Sequence, residues 1–231
     1  MNDETYKKPT RDELRRMSRA DPEYNNPVTE QGKRRKRLRE ENERAGEPVL
    51  EELRACGFNV EEVDDLKCIQ DPKVLPILLW WLPRVENLAV KETIVRALSM
   101  KWAKPEAQHP LIDEFKRATD ESLKWAIGNA LEVIEDNRIA DDILELVQDK
   151  QHGTSRQMMI LGMWKIKDPR VADVAINLLQ DDDVVVHALS VVGRLKPRKA
   201  WPYVEKLLSH PKAPIRKKAL QVLQKLDKSG N

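Results

Sequence analysis

The side chains most able to hold a metal ion or to act as nucleophiles are four histidines and two cysteines. The histidines are His109, His152, His187 and His210, and the cysteines are Cys56 and Cys68. No histidine pairs with another histidine or with a cysteine at the spacing of metal ligands. Two cysteines are also too few for a disulfide framework. We therefore expect no metal site in this protein.

Nucleotide chemistry and acid–base catalysis have equally little support. The glycines are sparse and scattered, so the sequence has no loop of the kind that cradles phosphates. The carboxylates lie in charged stretches such as VEEVDD and DDD, where a solvated face or a helix N-terminus accounts for them. The sequence therefore predicts a protein with no cofactor and no catalytic residues, which is not an enzyme.

The composition is that of a helical protein with a large surface. Of the 231 residues, 40% are hydrophobic, 35% are charged and only 5% are aromatic. The net charge of +2 creates no strong field toward nucleic acid or anionic membranes. The N-terminus lacks the apolar segment of a secretory signal, and VLPILLWWL is too short to cross a bilayer. We expect a cytoplasmic protein that does not bind membranes.

The N-terminal part differs from the rest of the chain. Residues 1–45 contain few apolar side chains and include the basic run GKRRKRLREENER, so we expect a largely disordered or solvated segment. Nucleic-acid binding through this run is an open alternative, although no aromatic residue is interleaved with it. Residues 46–70 predict two short lead-in helices.

Residues 71–227 repeat with a period of about 30 residues, which is the signature of a repeat array. First helices are predicted in LPILLWWL, HPLIDEF, IADDILELV, VADVAINLL and WPYVEKLL. Second helices are predicted in ETIVRALS, SLKWAIGNALEVI, TSRQMMILGMWKI, DVVVHALSVVGRL and APIRKKALQVLQKL. The valine run alone favours a strand. Because its apolar positions match those of the last segment, which follow a helical period, we predict a helix there.

The period, the prolines before the apolar pairs of three first helices and the segment IRKKAL resemble HEAT-like repeats, especially the short bacterial variety found in phycocyanobilin lyases. The resemblance implies an all-α fold, a right-handed α-solenoid of about five helix pairs with an N-terminal helical lead-in. It also implies a concave surface lined by second helices, which in this family mostly binds proteins and sometimes nucleic acid. Only Arg156 and Arg216 match the arginine that often opens the second helix, so we do not expect an arginine ladder between repeats.

One position of the repeat is a candidate binding site. Aligning the second helices on Ala97, Ala126, Met159, Ala188 and Ala219 places one further residue of each repeat in a shared slot. That slot holds Arg96, Trp125, Met158, His187 and Lys218. If the slot is exposed, these side chains form a strip suited to binding another protein, because tryptophan and arginine anchors dominate interface energies. If it faces a neighbouring repeat, Trp125 and Met158 belong to the core.

A second candidate is the polar stretch QHGTSRQ. It is either an ordinary turn capped by Thr154 or Ser155, or a contact loop at the rim that includes His152 and Arg156. The six tryptophans of the chain are expected to lie mostly in the core, because tryptophan buries a large area.

Three functions remain open. The leading hypothesis is a protein-binding scaffold or regulator that uses the concave face, for instance an inhibitor or an immunity-type protein. The alternative is a nucleic-acid-binding protein such as a helical-repeat DNA glycosylase, in which Trp125 and Glu132 would imitate the aromatic cleft and its carboxylate. A bilin lyase is more remote and is suggested only by the repeat type.

Overall fold

The computed structural model describes residues 30–227, and that range contains α-helices and short 3-10 helices but no strand. After the N-terminal helix α1 (Glu30–Ala55), the first helices of the pairs are α2 (Leu75–Trp81), α4 (Gln108–Arg117), α6 (Ala140–Gln148), α8 (Arg170–Asn177) and α10 (Trp201–Lys206). The second helices are α3 (Leu88–Ala97), α5 (Glu121–Ile134), α7 (Gln157–Gly162), α9 (Val185–Leu195) and α11 (Ala213–Asp227).

The five helix pairs stack into an α-solenoid, as predicted. Each second helix packs against the next one along the chain, from α3 through α5, α7 and α9 to α11. The first helices form the other layer, and from α4 onward each packs on the second helix of its own pair. No pair could bury its apolar face alone, so the stack shares one continuous core.

The valine run is a helix, as the repeat register predicts. Helix α9 spans Val185–Leu195. Of the five apolar positions matched to the last segment, Val184, Ala188, Leu189 and Val192 are fully buried, whereas Leu195 is 38% exposed. Burial against the neighbouring repeats therefore outweighs the local preference of valine for strands.

Capping residues and prolines mark the helix starts at the expected positions. The Asp71 carboxylate accepts a hydrogen bond from the backbone N–H of Lys73, and Asp168 accepts one of 2.8 Å from the N–H of Arg170. Pro76 and Pro202 lie in the first turns of α2 and α10, where a missing N–H costs nothing.

The N-terminal helix crosses the boundary that the sequence predicts at residues 45 and 46. Helix α1 begins at Glu30, and its first part is exposed, whereas Val49, Leu50 and Leu53 are buried against the solenoid. The second lead-in segment is a 3-10 helix, Val63–Cys68. Residues 1–29 of the predicted N-terminal segment lie outside the described residues. Among the described helices, none is both long enough and apolar enough to span a membrane.

Candidate functional site

The predicted strip lies on the layer of second helices, with one residue on each of α3, α5, α7, α9 and α11. None of the five side chains is buried: Arg96 and Trp125 are exposed, and Met158, His187 and Lys218 are half-buried. The exposed fraction of Trp125 is 42%. Because consecutive second helices pack side by side, the five positions cross this layer in register. We call these five residues the strip.

Contacts between neighbouring helices fix the strip. At its start, Arg96 pairs with Glu92 through a 3.0 Å hydrogen bond from Nε, and Ser122 of the next helix lies 3.5 Å from the same carboxylate. In the middle, α5 and α7 approach closely at Gly128, where an added Cβ would lie 3.9 Å from Cβ of Met158. The strip is therefore held on a rigid surface of packed helices.

The far end of the strip is electropositive. Burial and the neighbouring Lys218 ammonium lower the pKa of His187 below its usual value. The Nδ1 atom of His187 is buried and forms no hydrogen bond within residues 30–227. Since lowering the pKa favours the uncharged ring, His187 presents a neutral imidazole beside the charge of Lys218.

A second row of side chains runs parallel to the strip, near the C-terminal ends of the second helices. It occupies the position six residues after the aligned small residue and consists of Glu132, Lys165, Arg194 and Lys225, with Trp164 beside Lys165. We call these five residues the edge row. The edge row was not predicted from the sequence. Its charged side chains recur in four repeats at one register position, and this recurrence is the signal that could have revealed it.

Direct contacts join the members of the edge row across successive repeats. Lys165 Nζ lies 2.6 Å from Glu132 Oε1, and Cζ of Arg194 lies 4.4 Å from the ring centroid of Trp164. The stem of Lys225 passes 3.7 Å from where a Cβ would lie at Gly193, next to Arg194. Direct contacts thus join the edge row from Glu132 to Arg194, and Lys225 continues it beside Gly193.

The tryptophans contradict the expectation that most of them fill the core. Four of the six are exposed by more than a third: Trp80, Trp125, Trp164 and Trp201. A solenoid is only two helix layers thick, so it has less interior volume for large aromatic side chains than a globule has. Two of the four, Trp125 and Trp164, lie on the second-helix layer, one in the strip and one in the edge row.

Arg156 is not a rim residue, so this prediction is wrong. Its side chain is completely buried and donates hydrogen bonds of 2.9 Å to the carbonyls of Gly153 and Val147 and to the carboxylate of Asp181. Asp181 belongs to the next repeat, so the inter-repeat arginine contact that the sequence did not predict is present here. Burial alone would raise the pKa of Asp181, but the hydrogen bonds from Arg156 and from the backbone N–H of Asp183, together with the nearby positive charges, outweigh it and the pKa is lowered.

His152 is also largely enclosed. Its side chain is 12% exposed, with the ring centroid 4.9 Å from that of Phe115 and Nδ1 3.1 Å from Lys124 Nζ. Burial and the Lys124 charge lower its pKa. The expected capping by Thr154 or Ser155 is absent too, because α7 starts without a side-chain cap after a 3-10 turn in which Gly153 has a φ of 47°.

The carboxylate that could imitate a glycosylase cleft is engaged by another residue. Glu132 is held by Lys165, so it is not a free carboxylate beside Trp125. Among the described residues, no group of three histidines, cysteines or acidic residues could hold a metal ion. The cavities at the N-terminal end, including one of about 350 Å³ between α1, Val63 and α3, lie away from the strip.

One carboxyl group is buried without a partner. Glu135 is 2% exposed, and neither of its oxygens has a hydrogen-bond partner within the described chain. Burial raises its pKa well above the usual value, despite the nearby Lys165 charge. The carboxyl packs against the backbone of Gly162, where a Cβ would overlap it at 1.7 Å. This contact makes Glu135 a packing residue between the second and third helix pairs.

No protein-family description matches this sequence, and no curated protein is similar to it. Among solved structures, the chain is similar to a designed armadillo repeat protein in complex with the peptide (KR)4. The TM-score is 0.50 at 15% sequence identity, over 87% of this chain and 95% of the designed protein. The similarity shows a helical-repeat solenoid fold.

Proposed function

We propose that this chain is a non-enzymatic scaffold that binds another protein on its second-helix face, with the strip and the edge row as the contact surface. The observation that carries the proposal is the exposure of Trp125 and Trp164 on one layer, beside the half-buried Met158. Tryptophan is one of the residue types that dominate binding free energies at protein interfaces, and methionine is enriched there. An inhibitor or immunity-type role is one form that such binding can take.

The fold supports this proposal. The designed armadillo repeat protein was solved with a bound peptide, so a solenoid of this fold can carry an extended segment. Stacked second helices repeat the same side-chain positions at regular distances, which suits a partner with a repeating backbone. The two free and exposed cysteines, Cys56 and Cys68, agree with a reducing compartment, and we propose the cytoplasm.

Nucleic-acid binding is the second candidate, and it rests on the exposed part of α1. Arg34, Arg37 and Arg44 form no ion pair with any residue between 30 and 227, whereas Lys33 and Lys36 pair with Glu30 and Glu40. The three free arginines fall on one side of the helix by their spacing. Phosphate contacts would make such binding strongly dependent on salt. No observation supports a bilin lyase.

Site-specific photo-crosslinking tests the proposed function. A photoreactive amino acid is placed at position 158, in the strip, and separately at position 203, where exposed Tyr203 lies on the first-helix layer as the control. Each variant is irradiated in cells that naturally produce the protein. Products are compared before and after nuclease treatment and with the same variants carrying Trp164→Ala.

We expect a discrete nuclease-resistant protein product at position 158, absent at position 203 and weakened by Trp164→Ala. Equal products at both positions, or no protein product at position 158, would contradict the proposal. A product that disappears with nuclease would favour the second candidate.

A further inference from the structure

We infer that the protein segment bound on the second-helix face is acidic and carries an apolar anchor, with its acidic side chains over α9 and α11 and its anchor over α5 and α7. This inference rests on the proposed function and adds the chemistry and the placement of the partner. It follows from the separate positions of the unpaired cations and of the apolar side chains on the second-helix face.

Three cations at the α9–α11 end have no acidic partner among residues 30–227. Arg194, Lys218 and Lys225 form no ion pair with any described residue, although all three are at least partly exposed. Arg194 lies on Trp164, which orients its guanidinium while leaving its N–H groups able to bind a carboxylate. Three cations on two adjacent helices that form no ion pair within residues 30–227 favour an anionic partner.

Two acidic side chains at the α3–α5 end of this face are already neutralised. Glu92 is held by Arg96, and Glu132 is held by Lys165. A basic segment such as (KR)4, which the designed armadillo protein binds, would have to break these pairs or face three unpaired cations. Like charges brought together in this way oppose binding. The charge pattern therefore selects against a basic partner.

The apolar part of the surface lies at the α5–α7 end. Trp125 and Trp164 are exposed, and Met158 and Leu161 between them are half-buried. A leucine or phenylalanine side chain of the partner would cover this apolar area. Met158 can adjust to its shape, because methionine side chains are flexible. The patch contains only four such residues, so it suits a single anchor.

A nucleic acid fits this face less well than an acidic protein segment. Tryptophans beside cations can stack bases, but the site offers few unpaired cations for a phosphate backbone. Glu121 and Asp183 are exposed at the N-terminal ends of α5 and α9 and oppose any anion there, which restricts an anionic partner to a few carboxylates placed away from these ends. A segment with a few carboxylates and one anchor matches both features.

Synthetic peptides of equal length test the inference on the full chain. The first has a leucine pair followed by alternating Asp and Glu, the second has the same leucine pair followed by alternating Lys and Arg, and the third is (KR)4. A single-stranded oligothymidine of similar length is the nucleic-acid probe. Dissociation constants are measured by fluorescence anisotropy at two salt concentrations. Variants are Lys218→Glu with Lys225→Glu, and a control in which exposed Lys206 on the first-helix layer and Lys73 near α2 are both changed to Glu.

The anchored acidic peptide should bind at least about tenfold more tightly than either basic peptide, and the strip and edge-row variant should lose at least about tenfold of that affinity. The control variant has the same net charge and should change the affinity less than about twofold. Equal affinity for acidic and basic anchored peptides, tighter binding of the oligonucleotide, or no binding of the acidic peptide would overturn the inference. Each of these outcomes leaves the crosslinking result at position 158 unaffected, so the two proposals fail separately.

Discussion

Arg194 of α9 lies over the indole ring of Trp164, with 4.4 Å between its Cζ atom and the ring centroid. The contact joins two neighbouring helix pairs on the exposed second-helix layer. It also orients an arginine that has no acidic partner among residues 30–227. This pair links the stability of the solenoid to the surface that we propose for binding.

The Arg194–Trp164 contact should contribute a small, measurable amount to stability. Arg194→Ala should lower the free energy of unfolding by about 0.5–1 kcal/mol, the range for a cation–π pair at an exposed site. Urea denaturation of Arg194→Ala, Trp164→Ala and the double variant measures the coupling between the two residues. Strict additivity would show that the contact contributes nothing.

Arg156 should be among the residues whose replacement costs most. Arg156→Met leaves the Asp181 carboxylate, whose side chain is 10% exposed, and two buried carbonyl groups without their donor, so we expect a loss of about 3–5 kcal/mol in chemical denaturation. Adding Asp181→Asn should recover part of that loss, because it removes the unpaired charge. If Arg156→Met costs less than exposed Arg198→Met, the buried pair is not formed.

The same pair predicts a pH dependence at low pH. The pKa of Asp181 is lower in the folded chain than its usual value, so the unfolded chain takes up the proton first. This stabilisation is fully present above the pKa of the unfolded state, near 3.9, and is lost as the pH falls through the folded pKa. As the pH falls from about 5 to about 2, the free energy of unfolding should fall further for wild type than for the Arg156→Met, Asp181→Asn double variant.

Glu135 should produce the opposite dependence. Its pKa is raised in the folded state, so the folded chain holds the proton more tightly and stability falls as the pH rises above about 4.5. The fall should approach about 1.4 kcal/mol per pH unit until the folded pKa is reached. Because Glu135→Gln cannot ionise, it should remove this slope. Denaturation curves recorded about once per pH unit between about pH 4.5 and 8 measure the slope for wild type and variant. Identical slopes would mean that the carboxyl is solvated.

Leu189 and Leu220 occupy the same register position in successive second helices, but their surroundings differ. Leu189 is fully buried, whereas Leu220 is 51% exposed because no described repeat follows α11. Leu189→Ala should destabilise by about 2–5 kcal/mol by leaving a cavity, and Leu220→Ala by less than about 1 kcal/mol. Equal losses for the two variants in urea denaturation would show that the register is wrong.

The fold could be predicted because the spacing of the repeats is visible in the sequence itself and needs no knowledge of tertiary contacts. The register placed Leu189 in the core and gave Trp125 its slot without any tertiary information. It failed for Arg156, since a buried arginine needs Asp181 from the next repeat and carbonyls from a turn, and these meet only after stacking. It also failed for Trp164, because the exposure of a tryptophan depends on the thickness of the neighbouring layers.

The central claim is that the second-helix face binds a protein through Trp125, and one paired measurement on Trp125→Ala tests it most directly. Its free energy of unfolding is compared with its affinity for the protein crosslinked at position 158. Since Trp125 is 42% exposed, we predict a stability loss below about 1.5 kcal/mol, well under the 3–5 kcal/mol of a buried aromatic residue. Affinity should fall by at least about 2 kcal/mol, roughly thirtyfold, as for an interface anchor. A large loss of stability with unchanged affinity would contradict the account and return Trp125 to the core.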